Sequence, residues 1–169
     1  MTFQAKLAMA LAALALAACS NSKFDETSAG GPGAGGAGVS AGSAANPNSP
    51  AYFQQTIGDR VLFEVDQSTL TDTARAILTA QADWLIANTE YTAVIEGHAD
   101  EQGTREYNLA LGARRANAAR DFLISRGVAG TRLQVISYGK ERPIEICSDE
   151  SCYAKNRRAV TVLSAGLTG

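Results

Sequence analysis

Glu96-Gly97-His98-Ala99-Asp100-Glu101-Gln102-Gly103-Thr104, followed by Glu106-Tyr107-Asn108-Leu109-Ala110-Leu111-Gly112-Ala113-Arg114-Arg115-Ala116-Asn117-Ala118, decides how this 169-residue chain folds. The apolar run Tyr91–Gly97 leads into it as a strand, and the polar stretch after it makes a loop. Thr104 or a neighbour then caps a helix reaching about Arg126. Leu109, Gly112, Ala116, Ala119 and Leu123 recur at three- and four-residue steps, which predicts a buried stripe along that helix. Its small members let the helix lie close to a sheet. Gly127 and Gly130 end it.

The same alternation extends outward in both directions. Val61-Leu62-Phe63-Glu64-Val65 reads as a strand, and Thr71 caps a helix to about Asn88 with Ala74, Ile77, Leu78, Trp84 and Leu85 on one side. Leu133–Tyr138 and Arg158–Leu163 read as two more strands, with a short helix before Asn156. Strands alternating with helices predict an α/β domain, a sheet with helices packed on it, over residues 51–169. That length supports one hydrophobic core.

Ahead of the domain the composition changes twice. Residues 1–18 carry one charge, Lys6, and then an apolar run from Leu7 to Ala18. Such a run spans roughly 18 Å as a helix, short of a hydrocarbon core of about 30 Å, so it reads as a secretory signal peptide. Its end, Leu16-Ala17-Ala18-Cys19, resembles a bacterial lipobox. That resemblance implies an acylated Cys19 as the mature N-terminus, with several acyl chains giving stable anchoring where one does not. Ser20 stands where inner-membrane retention typically needs Asp. Residues 19–50 form the lipidated end and a linker rich in Gly, Ala, Ser, Asn and Pro, too poor in apolar surface to fold. Such a linker reaches roughly 30 Å on average and about 100 Å when taut.

A formal charge of −2 and 7% aromatics leave no basic field and no stacking platform for nucleic acid. Gly31-Pro32-Gly33-Ala34-Gly35-Gly36 satisfies G-x-G-x-x-G, but no strand precedes it and no helix opens after it, so a dinucleotide site is excluded.

The two quoted central segments, together with Val61-Leu62-Phe63, Ser137-Tyr138-Gly139-Lys140-Glu141-Arg142-Pro143 and Lys155-Asn156-Arg157-Arg158-Ala159-Val160, closely resemble the OmpA-like C-terminal domain family, and within it the peptidoglycan-associated lipoproteins. The resemblance runs from about residue 57 to 163. It implies a β-α-β-α-β-β arrangement and recognition of the diaminopimelate-containing peptide stem of peptidoglycan, in a non-catalytic protein of the outer membrane that faces the periplasm. It also implies that Asp100 and Arg115 hold diaminopimelate. A carboxylate and a guanidinium complement a group that presents both an ammonium and a carboxylate. Removing either residue is expected to abolish binding with the fold intact. Phe63, Glu64, Asn108 and Leu111 match further positions lining the family's site. Glu64 stands where the family often has Asp, harmless if ligand meets backbone there and not otherwise. Asn108 either lines the site or bonds loop backbone. On the helix, Asn108, Leu111 and Arg115 are expected at a seam between core and solvent. A TolB-like periplasmic protein and other Tol components are the implied partners, with a role in envelope integrity and cell division.

Catalysis finds little support. The single histidine, His98, cannot supply an H-E-x-x-H zinc site, and two ligands, His98 and Asp100, rarely make a catalytic metal centre. No Gly-x-Ser-x-Gly elbow is present. No cofactor is expected. With Cys19 acylated and the domain exported, Cys147 and Cys152 are expected to form a disulfide closing six residues, worth roughly 2 kcal/mol. It should restrain a surface loop between the third strand and Asn156, away from the ligand groove; free thiols or a zinc site are the alternatives.

Overall fold

Four strands form one sheet in the order β1-β4-β2-β3: β1 Arg60–Leu62, β2 Tyr91–His98, β3 Leu133–Gly139 and β4 Arg158–Ala165. In this computed structural model the described residues are 42–146 and 148–165. β2 runs parallel to β3 and antiparallel to β4, and β1 is antiparallel to β4. α1 (Pro50–Tyr52) continues into a π-helical turn, Phe53–Gly58, before β1; α2 is Asp72–Ala87, α3 Arg105–Ser125 and α4 Glu150–Asn156. The order is thus the expected one, with the short helix α4 between the last two strands. No helix among the described residues is long and apolar enough to cross a membrane.

Both long helices start where a threonine side chain accepts an orphan backbone N–H, Thr71 from Ala74 at 3.1 Å and Thr104 from Tyr107 at 3.2 Å. α2 buries Ala74, Leu78, Ala82, Trp84 and Leu85, whereas Ile77 is only half-buried. It also buries Gln81, whose amide donates to Gly58 O at 2.6 Å and whose carbonyl accepts from Thr161 at 2.7 Å, so the polar group is satisfied. α3 lies on β2 with backbone touching backbone. A Cβ on Gly97 would sit 1.8 Å from the Gly112 carbonyl oxygen, which is why neither position tolerates a side chain.

Four sequence expectations change. The first strand stops at Leu62, because Asp66 takes a left-handed conformation (φ 57°) and Gln67 N closes a turn on Glu64 O at 3.2 Å. Leu109 is 49% exposed and leaves the predicted stripe. At that level α3 overhangs the edge strand β3, where no described residue packs beyond it, and Leu109 lines a small cleft with Arg105, Tyr138 and Glu141. Its place is taken by Asn108, Leu111 and Arg115, all buried; Asn108 and Leu111 line a groove, whereas Arg115 is 0% exposed and away from the expected seam. Finally, ordered structure begins before residue 51. The Ser49 hydroxyl donates to Ser43 O at 2.7 Å and accepts from Tyr52 N, and Trp84 donates to Pro47 O at 2.7 Å, so this part of the expected linker packs on the domain. Cys19 and the signal segment lie outside the described residues.

Candidate functional site

The C-terminal end of β2 delivers the chain into a tight loop, residues 99–104, and three devices hold it. Asp100 Oδ1 accepts from Gln102 N at 3.2 Å. The Asn108 amide donates to Gln102 O at 2.7 Å, and Lys140 donates to Gly103 O at 2.6 Å. Gly103, at φ 90°, makes the reversal into α3. From below, Gly139 (φ 51°) brings the end of β3 against the Asn108–Leu109 backbone, and its carbonyl accepts from Ala99 N at 2.8 Å.

Over this loop lies a groove of about 250 Å³, lined by Val65, Asp66, Asp100, Gln102, Gly103, Tyr107, Asn108 and Leu111. One wall is the Asp66 turn, held to α3 by a hydrogen bond from the Tyr107 hydroxyl to the Asp66 carboxylate. That bond raises the Tyr107 pKa, keeping the phenol protonated as its donor. The groove therefore presents two carboxylates, amide groups and a short apolar floor. Such a set receives an ammonium on an aliphatic arm.

Arg115 lies behind the groove and not in it. The residue is 0% exposed, and its guanidinium donates to Gln67 O at 2.8 Å, His98 O at 2.9 Å and Glu64 O at 3.1 Å. Its flat face lies over the Phe63 ring, 5.3 Å from the centroid. Burial lowers its pKa to about 10, opposed by the field of Asp100, so it stays charged at neutral pH. The cation that contacts Asp100 is Arg157, from Nη1 to Oδ2 at 3.2 Å.

Of the expected site residues, Asp100, Asn108 and Leu111 line the groove together. Asn108 both lines it and bonds loop backbone. Phe63 is buried beneath Arg115 and the Glu64 backbone carbonyl contacts Arg115, while both residues line a separate groove of about 600 Å³ with Thr71, Ile77 and Glu150. Val65, Asp66, Gln102, Tyr107 and Arg157 went unassigned in the sequence. Gln102, Tyr107 and Arg157 stand inside the quoted motifs and Val65 in the predicted strand, whereas nothing in the sequence singled out Asp66.

His98 and Asp100 are not brought to one site. His98 stacks on Tyr138 at 5.6 Å, with Nε2 3.6 Å from the Glu96 carboxylate. Burial, with Arg158 and Arg142 nearby, lowers its pKa to about 4, so it is neutral at pH 7. Among the described residues no group of three or more His, Cys, Asp or Glu could hold a metal. Cys152 is buried and disulfide-bonded, and its expected partner Cys147 lies outside the described residues. Cys152 belongs to α4, which leads directly into Arg157, so this helix is nearer the site than the sequence suggested.

Residues 62–157 match the OmpA family. The peptidoglycan-associated lipoprotein of Mesorhizobium japonicum is 54% identical over 154 residues, 91% of this chain and 88% of that protein. That of Rhizobium meliloti is 53% identical over 150 residues, 89% and 82% of the two chains. Among solved structures, the peptidoglycan-associated lipoprotein of Burkholderia pseudomallei superposes with a TM-score of 0.63 at 38% identity, over 70% of this chain and 97% of that one. The C-terminal domain of Helicobacter pylori MotB gives 0.60 at 22% identity over 64% and 86%, a likeness of fold alone. With relatives this similar across most of both chains, the chain belongs to the peptidoglycan-associated lipoproteins of the OmpA family.

Proposed function

We propose that this chain is a non-catalytic lipoprotein that binds the diaminopimelate-bearing peptide stem of peptidoglycan in the Asp100 groove. The observation that carries the reading is the pairing of Asp100 and Asp66 across a groove with an apolar floor and amide walls. Diaminopimelate offers an ammonium to the carboxylates and a hydrocarbon arm to Leu111. Its carboxylate meets the amide donors of the loop, with Arg115 supplying positive potential from beneath the Glu64–Gln67 turn.

The rest of the proposal follows from the resemblance. Cys19 carries the lipid, the segment after it links the anchor to a domain whose packing already includes Pro47 and Ser49, and the protein joins the periplasmic face of the outer membrane to the cell wall. A TolB-like protein and other Tol components are its partners, in an envelope system serving membrane integrity and cell division. Purified sacculi incubated with the mature lipoprotein test the binding claim. Retention on sacculi, reversed by free diaminopimelate, is expected. Retention that free diaminopimelate leaves unchanged contradicts it.

A further inference from the structure

We infer that Arg157 is the positioning residue that holds Asp100 in its ligand-receiving geometry, anchored for that task by Glu150 at the start of the same short helix. The inference rests on the reading of Asp100 as the ammonium's partner.

Asp100 is 8% exposed, and an ionised carboxylate at that depth needs partners. One oxygen takes Gln102 N, and the other takes Arg157 Nη1 at 3.2 Å. Arg115 makes no hydrogen bond to Asp100; its three nitrogens each donate to a backbone carbonyl instead. Asp66 also lines the groove. Without a cation behind Asp100, two carboxylates facing one small groove repel, and the buried one turns away.

Arg157 is built for a fixed position. It is 4% exposed on its side chain, and its planar fork reaches three separate parts of the fold. Nε donates to Phe63 O at 3.2 Å just past β1, Nη1 to Asp100 after β2, and Nη2 to the Glu150 carboxylate on the first turn of α4. Burial works against its charge, but the hydrogen bonds it donates to Glu150 and Asp100, with the charges of both carboxylates, outweigh it and raise its pKa. Neighbouring Asn156 braces the next loop residue, donating to the Glu101 carboxylate at 2.8 Å while accepting from Ile144 N. An ion pair serving only to fasten α4 needs Glu150 alone, which reaches Arg157 from the surface. The second carboxylate, on the groove side, is what that bland account leaves unexplained.

The test separates positioning from general stability by asking whether discrimination is lost. Full-length lipoprotein is titrated with a diaminopimelate-containing stem peptide and with the same peptide acetylated on its side-chain amine. Wild type should prefer the free amine by about 30-fold or more, the scale set by a desolvated charge pair. Asp100→Asn should bring the ratio near one; if it leaves the ratio intact, the underlying reading of Asp100 fails. Arg157→Gln should also collapse the ratio, whereas a merely structural role weakens both peptides equally. Should the Gln variant not fold, Arg157→Lys decides, since it keeps the charge but cannot span three acceptors. A several-fold drop in the ratio is expected. Loss of discrimination in Asp100→Asn beside a wild-type ratio in the folded Arg157 variant overturns the inference alone.

Discussion

Replacing Arg115 with Ala should destabilise the protein strongly, where the sequence suggested a loss of binding with the fold intact. The guanidinium is wholly buried and is the donor to three backbone carbonyls, those of Glu64, Gln67 and His98. Each buried acceptor left without its donor costs about 1–3 kcal/mol. Relief from desolvating a guanidinium offsets part of that sum, so a net loss of about 3–5 kcal/mol is expected, as for breaking a buried ionic contact. Domains of this size hold roughly 5–15 kcal/mol in total. Urea unfolding followed by circular dichroism should show the midpoint falling steeply, with melting lowered by about 10–20 °C. Arg115→Lys should recover only part, because an ammonium lacks the fork and the flat face that covers Phe63. An Arg115→Ala protein with a wild-type urea midpoint that fails to bind sacculi would refute this reasoning and put the guanidinium in the groove.

Three further outcomes follow. His98 has its pKa depressed from 6.5 to about 4, chiefly by burial, so the folded state binds fewer protons and stability is full above pH 6.5 and lost as pH falls through 4; between pH 7 and 4.5 this amounts to about 2 kcal/mol, which His98→Gln should not lose, and equal acid losses in both proteins would exclude it. Gly97→Ala puts a methyl 1.8 Å from Gly112 O and must push α3 away, costing about 3 kcal/mol or more; an unchanged denaturation midpoint would show the contact to be loose. Replacing Cys147 and Cys152 by Ser should cost roughly 2 kcal/mol, and two alkylatable thiols at these positions in non-reduced wild type would rule the bridge out.

The elements were legible where local chemistry fixes them. Thr71 and Thr104 announce their helices as caps, and the glycines and alanines of α3 foretell its close approach to β2. Leu109 was misplaced because helical periodicity gives a direction but not whether a neighbour stands there; beyond β3 no described residue does. The full burial of Arg115 was hidden for a related reason. Its acceptors come from residues 64, 67 and 98, and no spacing in the chain reveals three carbonyls converging on one guanidinium. Asp100 was found through its motif, whereas its cation, Arg157, is 57 residues away and meets it only once β2 and β4 pair. Asp66 belongs to the groove because its left-handed turn folds Val65 outward, which an apparent five-residue strand conceals.

The most direct measurement is a titration of the isotopically labelled lipoprotein with a diaminopimelate-containing stem peptide, followed by amide NMR shifts. Saturable changes centred on Asp66, Asp100, Gln102, Tyr107, Asn108 and Leu111 are predicted. Shifts confined to the larger groove beside Thr71, Ile77 and Glu150, with the Asp100 loop undisturbed, would contradict the account.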